Sequence, residues 1–159
     1  MPDSKTVLVI GASRGLGLAL AEEFCSRGWR VIATERAHSV GLAALAARYP
    51  KSLNIERVEI TNVASVWALR SKLNRSLDTL FMNAGICKAR EKTSLDVAES
   101  DFIDLMLTNA LSPMRALEIF ETLVPPKGVI AVMSSEIRSI SHNRGIGTST
   151  ARVRPHSTC

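Results

Sequence analysis

The amino-acid sequence predicts a three-layer, doubly wound α/β fold, in which helices cover both faces of a parallel β-sheet. Short apolar runs rich in β-branched residues alternate with amphipathic segments, and a glycine-rich turn follows the first run. With 159 residues, 46% of them hydrophobic, the chain is large enough for one core. We therefore expect one domain over residues 1–140 and a different kind of segment over residues 141–159.

The first strand and helix are predicted from apolar spacing. TVLVI (Thr6–Ile10) is a short buried run of the kind found in parallel strands. A helix is expected over Ser13–Arg27, ended by Gly28 as a C-terminal glycine. Its apolar positions recur every four residues and are expected to face the core: Leu16, Leu20 and Phe24.

The later elements continue the alternation of strands and helices. Strands are predicted at Arg30–Thr34, Leu53–Ile60, Leu77–Gly85 and Gly128–Ser135. Helices are predicted around residues 42–49, 66–73 and 102–123. Pro50 ends the first of these three helices, and Asn62 is the expected N-cap of the second. Strands separated by helices of this length indicate right-handed parallel crossovers.

Charge and cysteine content exclude several classes of function. The net charge is +5, but Arg144, Arg152 and Arg154 lie in an acid-free segment, which leaves +2 for residues 1–140. Three charges make a small footprint for nucleic acid, so we expect no nucleic-acid partner. The three cysteines have no short spacing and predict neither a disulfide framework nor a metal site. The apolar runs are too short for a signal sequence or a membrane span, so we expect a cytoplasmic protein with no membrane partner.

The turn GASRGLG (Gly11–Gly17) is the strongest local signal. Gly11 suits a tight turn, whereas Gly15 and Gly17 allow the backbone to approach a pyrophosphate closely. The helix that follows offers free N–H groups and positive dipole potential to phosphates. This pattern after a strand and before a helix predicts dinucleotide binding, although a purely structural glycine turn is the alternative.

Three further polar motifs fall at element boundaries or within the long helix. They are Met82-Asn83-Ala84-Gly85 at the fourth strand, Asn109 in the long helix and Ser135 at the end of the fifth strand. Each alone could be an ordinary turn, a solvated polar residue or a strand end. Their joint occurrence in this order favours a functional site.

These motifs, with the G-x-x-x-G-x-G spacing of the turn, resemble the short-chain dehydrogenase/reductase family from about Lys5 to about Ile140. The resemblance implies a Rossmann fold, NAD(P) as cofactor and hydride transfer between a nicotinamide and a small carbonyl or alcohol substrate. It also implies that Ser135 hydrogen-bonds the reacting oxygen and that Asn109 helps to hold a proton-relay water. Met82 departs from the family pattern, which has Asn there. The implied cofactor-binding residues are Gly11, Ser13, Arg14, Gly15, Leu16, Gly17, Glu35, Arg36, Glu59, Ile60, Asn83, Ala84 and Gly85.

The choice between NAD and NADP is set by opposing charges at the end of the second strand. An acid there suits the ribose 2′-hydroxyl of NAD, and Glu35 fits that role. Arg36 and Arg14 would attract the 2′-phosphate of NADP, although both could be ordinary solvated side chains. We expect NAD(P), with a slight preference for NADP.

The family's acid/base pair has no counterpart in these 159 residues. The resemblance implies a Tyr with a Lys four residues later, after the serine. Tyr49 is the one tyrosine and precedes Ser135, and no Y-x-x-x-K pattern follows it. We therefore expect this chain to be inactive as given, although its family is enzymatic. The alternative function is a non-catalytic NAD(P)-binding or regulatory module.

The last residues suggest a reason for the missing pair. In a shifted phase, codons compatible with Ile146–Cys159 can encode Tyr-Arg-Ala-Cys-Lys at about the family's distance from Ser135. We hypothesise a frame shift after about Gly145, which the gene sequence would test; an unrelated natural C-terminus is the alternative. The sheet is then expected to be incomplete after the fifth strand, and residues from about Ser141 to be disordered. Intact family members are usually homo-oligomers, and this chain is expected to self-associate through exposed edges.

Overall fold

The computed structural model describes residues 4–88, 93 and 95–134. These divide into two compact units, one within Met1–Ala84 and Ser112–Met133 and one within Gly85–Leu111 and Ser134–Cys159. Ser135 and the predicted tail over residues 141–159 lie outside the described residues. The first unit contains the sheet and the glycine turn, and the second contains Asn109.

The described residues of the first unit form five strands and four α-helices. The strands are β1 (Thr6–Ile10), β2 (Arg30–Glu35), β3 (Leu53–Arg57), β4 (Thr79–Met82) and β5 (Val129–Val132). The helices are α1 (Gly15–Ser26), α2 (Val40–Arg48), α3 (Val63–Lys72) and, after one helix of the second unit, α5 (Ser112–Phe120). All strand pairs are parallel and the order is β3-β2-β1-β4-β5, which confirms the predicted parallel sheet.

The second unit contains α4 (Glu99–Met106) and a π-helical turn over Leu107–Leu111. Helical residues run without a break from Glu99 to the end of a short 3-10 turn at Leu123. The predicted helix over residues 102–123 is thus confirmed, with a start three residues earlier. Within the described part of the chain, no helix is both long and apolar enough to cross a membrane.

Successive residues of the central strand face opposite sides of the sheet and belong to two separate cores. One core joins Leu8 and Ile10 to side chains of α3 and α5 such as Val66 and Phe120. The other joins Val7 and Val9 to side chains of α1 and α2. Helices therefore cover both faces of the sheet, which makes the three layers that the apolar pattern predicted.

The buried face of α1 differs from the predicted one. Leu16 is 65% exposed and Leu20 and Phe24 are half-buried. The buried residues lie one position further along the chain at the same four-residue spacing: Gly17, Ala21 and Cys25. Small side chains let the helix backbone approach the sheet closely. The prediction from Leu16 and Leu20 was therefore wrong about which side of α1 faces the core.

Three strands are shorter than predicted because their apolar pattern continues past the strand pairing. β3 ends at Arg57, which pairs with Glu35 at the end of β2. Val58 and Ile60 beyond it are nevertheless buried. The predicted strands at Leu77–Gly85 and Gly128–Ser135 are likewise trimmed to the residues of β4 and β5 that pair with a neighbouring strand.

Candidate functional site

The candidate site of the first unit lies at the carboxyl edge of the sheet, where the strand order reverses. The chain leaves β1 and moves to β2 on one side, and it later returns to β4 on the other side. Parallel α/β sheets bind ligands at such a point, because the loops on either side diverge and leave a crevice. The glycine turn and Asn83 both lie at this edge.

Side chains from β2 and from the residue after β4 hydrogen-bond the glycine turn. Thr34 Oγ1 accepts a hydrogen bond from Gly11 N–H (2.9 Å), and the Asn83 side-chain amide donates to Gly11 O (2.7 Å). Gly11 has φ +87°, and a Cβ on it would lie 2.7 Å from the Ala84 backbone. A Cβ on Gly17 would lie 2.1 Å from Gly11 O and 2.5 Å from Asn83 Nδ2. Both glycines are therefore required by close packing inside the turn.

Gly15 is required for a different reason. It has φ +55°, but a Cβ there would meet no heavy atom of the surrounding chain within 4 Å, so the space at that position is open. Arg14, the N-cap of α1, makes no side-chain capping bond, whereas Ser39 and Asn62 cap α2 and α3. The N–H groups at the start of α1 are thus left for another acceptor, and the helix dipole favours an anion there. The open position at Gly15 and the uncapped start of α1 are compatible with a diphosphate.

The end of β2 presents arginines and turns its acid inward. The Glu35 side chain is buried, and its Oε2 accepts from Ser39 N–H (2.8 Å). Ser39 Oγ in turn donates to Ser13 O (2.5 Å), which links this loop to the glycine turn. Arg14 and Arg36 are exposed. Glu35, the acid that would suit NAD, is thus hydrogen-bonded within the protein, whereas Arg14 and Arg36 are open to solvent.

The predicted cofactor-binding residues Glu59 and Ile60 differ in their surroundings, since Glu59 is in an ion pair and Ile60 is in the core. Glu59 Oε1 accepts from Thr61 Oγ1 (2.9 Å) and from Thr61 N–H (3.3 Å). Glu59 Oε2 lies 3.8 Å from Arg36 Nε. The Ile60 side chain is buried in the core with α3, so Ile60 can meet a ligand through its backbone alone. Met82, which stands where the resemblance implies Asn, is buried in the same core.

In the second unit, Asn109 is engaged with the backbone of one residue. Its Oδ1 accepts from Ile86 N–H and its Nδ2 donates to Ile86 O, both at 2.8 Å. Asn109 lies within the π-helical turn, a distortion that is frequent at functional sites. Gly85, which precedes Ile86, is exposed. The Asn109 amide therefore fixes the chain that follows the Asn83-Ala84-Gly85 motif.

An ion cluster close by in the second unit was not predicted. Lys88 Nζ lies 2.6 Å from Asp104 Oδ2 and 3.2 Å from Asp101 Oδ1. Hydrogen bonds to Asp104 and then Asp101 raise the pKa of Lys88 above its ordinary value, so the lysine stays charged. No sequence signal identifies the cluster, because Lys88 lies 13 and 16 residues from its partners. Thr34 and Ser39 were also missed, since their roles depend on side-chain direction at strand and helix ends.

Neither Ser135 nor Tyr49 forms part of a catalytic centre among the described residues. Ser135 lies outside the described residues, and its neighbour Ser134 is exposed. Tyr49 follows α2 and packs against the core shared with α1. Among residues 4–88, 93 and 95–134, no group of three or more His, Cys, Asp or Glu is placed to hold a metal ion.

Comparison with known proteins agrees with the family that the sequence motifs resemble. A model of the short chain dehydrogenase family matches residues 5–152. The chain is 29% identical over 153 residues to 1-hydroxy-2-glutathionyl-2-methyl-3-butene dehydrogenase of Rhodococcus sp. (strain AD45), covering 93% of this chain and 64% of that protein. It is 32% identical over 139 residues to the NADPH-dependent pterin aldehyde reductase of Arabidopsis thaliana, covering 83% and 57%. The chain thus spans less than two thirds of the length of these relatives.

Solved structures with bound NADP share the fold. A short-chain dehydrogenase/reductase from Burkholderia multivorans with bound NADP has 43% identity and a TM-score of 0.85, with 94% of this chain and 70% of that chain covered. A carbonyl reductase from Pseudomonas aeruginosa PAO1 in complex with NADP has 30% identity and a TM-score of 0.88, with 95% and 68% covered.

Proposed function

The chain belongs to the short-chain dehydrogenase family, and from this premise we propose that its glycine turn binds NADP(H). The observation that carries the proposal is the open space at the Gly15 Cβ position together with the uncapped start of α1. Backbone N–H groups of the turn would hold the diphosphate, with Gly11 and Gly17 keeping the turn closed beneath it. The NADP-bound structures of relatives add support.

We propose NADP(H) over NAD(H) because of the charges at the end of β2. Glu35 already accepts a hydrogen bond from Ser39 N–H and is buried. Arg14 and Arg36 are exposed and would pair with a 2′-phosphate through their guanidinium groups. Arg36 lies 3.8 Å from Glu59, a weak contact that a phosphate could replace. Arg36 is therefore the residue we expect to discriminate most between the two cofactors.

For the family's reaction, we propose that the cofactor supplies a hydride exchanged with a small carbonyl or alcohol. Ser135 would hydrogen-bond the reacting oxygen. Asn109, whose side chain hydrogen-bonds the Ile86 backbone, would fix the chain that follows Gly85, and its second amide hydrogen and remaining carbonyl lone pair would still be able to hold a proton-relay water. These roles follow the family resemblance, and the substrate itself stays a proposal at the level of a carbonyl or alcohol.

We further propose that the 159 residues bind the cofactor without turning it over. A general acid/base must reach the reacting oxygen, and Tyr49 packs against the α1/α2 core instead. The one histidine among the described residues, His38, lies after β2. We also propose a cytoplasmic protein, since Cys25 and Cys87 are both free thiols.

The decisive experiment is a fluorescence titration of the chain with NADPH, using Gly15→Asp and Gly28→Asp as a matched pair. Both glycines have positive φ and open space at the Cβ position, but Gly28 lies at the other end of α1. Only Gly15→Asp places a carboxylate at the proposed diphosphate, so only this variant should lose binding. Equal binding by both variants would refute the proposed site. NADPH oxidation by the wild-type chain with a panel of carbonyl compounds would contradict the absence of turnover.

A further inference from the structure

Ser39, in the first unit, is bonded to both loops that carry an exposed arginine. Its backbone N–H donates to Glu35 Oε2 (2.8 Å), which closes the loop that contains Arg36. Its Oγ donates to Ser13 O (2.5 Å), the carbonyl of the peptide that joins Ser13 to Arg14. Ser39 therefore connects the positions of the two arginines.

The bond from Ser39 to Ser13 goes beyond what helix capping needs. As the N-cap of α2, Ser39 Oγ accepts from Leu42 N–H (3.2 Å), and its hydroxyl hydrogen is then free to be donated elsewhere. An ionised aspartate would cap the helix equally well, but it has no hydrogen to donate to Ser13 O. The hydroxyl thus serves two separate purposes, of which only the first concerns α2.

The start of α2 also packs against the first turn of α1. A Cβ on Gly41 would lie 2.9 Å from Leu18 Cδ2, so the two helices are in close contact beside the Ser39 hydrogen bond. In a trans peptide the C=O and N–H groups point in opposite directions. A fixed Ser13 O therefore also fixes the direction of the Arg14 N–H and of the chain at Arg14, which has no side-chain capping bond of its own.

We propose that Ser39 is a positioning residue that, by donating to Ser13 O, holds Arg14 at the distance from Arg36 at which both bind one 2′-phosphate. This inference rests on the proposed NADP(H) binding. Ser39 acts without touching the phosphate, because its hydroxyl is already engaged with Ser13 O and Leu42 N–H.

The role of Ser39 is selective for the cofactor that carries a 2′-phosphate. The glycine turn beneath the proposed diphosphate is held separately, by Thr34 Oγ1 and by the Asn83 amide. Loss of the Ser39 hydroxyl leaves both of these contacts in place. It should therefore weaken the binding of NADPH and leave that of NADH nearly unchanged.

The test measures NADPH and NADH dissociation constants for Ser39→Ala, Ser39→Thr and Asn62→Ala. Ser39→Ala keeps the backbone N–H that bonds Glu35 and removes only the hydroxyl. The NADPH dissociation constant should rise by roughly fivefold, the size expected for one hydrogen bond. Ser39→Thr keeps the hydroxyl and should restore the wild-type preference for NADPH. Asn62→Ala is the matched control, since it removes the cap of α3 and should leave the ratio of the two constants unchanged.

Combination with Arg36→Met distinguishes positioning from a general loosening of the fold. Without the Arg36 guanidinium, Ser39→Ala should no longer change the ratio of the NADPH and NADH dissociation constants, because the two substitutions remove the same interaction. If the wild-type chain binds neither cofactor, the proposed function fails and this inference falls with it.

If the wild type binds NADPH, three results would refute the positioning role of Ser39 alone. One is a Ser39→Ala variant that binds both cofactors as the wild type does. Another is an equal rise of both dissociation constants. The third is a change of their ratio that is as large in the Arg36→Met background as in the wild type.

Discussion

At the scale of single residues, two glycines of the turn are required for different reasons. Gly17 faces Gly11 O and Asn83 at distances that exclude any side chain. Gly15 faces open space and is glycine because of its backbone conformation. One residue serves packing within the turn, and the other leaves room for a ligand.

We predict that Gly17→Ala lowers the free energy of unfolding by at least about 2 kcal/mol, because its Cβ would force the turn apart from Asn83. Gly15→Ala should cost only about 1 kcal/mol, the strain of a left-handed backbone. Urea denaturation of both variants measures the difference. Equal losses would mean that the close contact at Gly17 is relaxed without cost.

At this scale the sequence predicted which residues mark the turn but not what their neighbours do. Glycine spacing identified Gly11, Gly15 and Gly17. It could not show that Asn83, 72 residues away, would donate to Gly11 O. Nor could it show that the Glu35 carboxylate turns inward to Ser39, because side-chain direction depends on packing.

At the scale of elements, side-chain caps separate the helices of the first unit by role. Asn62 Oδ1 accepts from the N–H groups of Ala64 and Ser65 and begins α3 as predicted, and Ser39 caps α2 in the same way. The start of α1 has no such cap. Side chains therefore satisfy N–H groups at the start of α2 and α3, whereas the start of α1 has no side-chain acceptor from its N-cap residue.

Asn62→Ala should lower the free energy of unfolding by about 1 kcal/mol, because two N–H groups at the start of α3 lose their acceptor. Asn74→Ala is the control, since Asn74 is exposed in the loop after α3. Thermal unfolding followed by circular dichroism compares the two. A change in Asn74→Ala as large as that in Asn62→Ala would contradict the capping role.

Element order and type were predictable, whereas strand ends and one helix face were not. Val58 and Ile60 are buried beyond the end of β3, which shows that an apolar pattern reports burial and not strand pairing. In α1 the core-facing residues are Gly17, Ala21 and Cys25, because close approach to the sheet selects small side chains. The π-helical turn around Asn109 adds one residue to a helical turn, and no helix propensity in the sequence predicts it.

At the scale of the whole molecule, β5 ends the sheet among the described residues. Val129, Ile130 and Val132 on it are 54%, 45% and 55% exposed, and the strand carries no charge. An uncharged edge strand can pair with another chain. This exposure supports the proposed self-association of the 159 residues.

We predict that the chain self-associates as concentration rises and that Val132→Lys shifts it toward the monomer, because a charge on an edge strand opposes pairing. Trp67→Lys on α3 is the control, since Trp67 is also 55% exposed. Size-exclusion chromatography with light scattering measures the mass of each variant. A monomer at every concentration, or equal effects of both substitutions, would refute pairing through β5.

The central place of β1 has a consequence for the order in which the protein is made. β1 is synthesised before both of its partners, β2 and β4, and Thr6 N–H donates to the Asp78 carboxylate, 72 residues later. The contact of Asn83 with Gly11 O closes the glycine turn only after that point. A nascent chain that ends at residue 60 already contains Gly11, Gly15 and Gly17, yet Asn83, which donates to Gly11 O, has not been synthesised. The proposed nucleotide binding therefore requires synthesis through Asn83, although its sequence signature ends at Gly17.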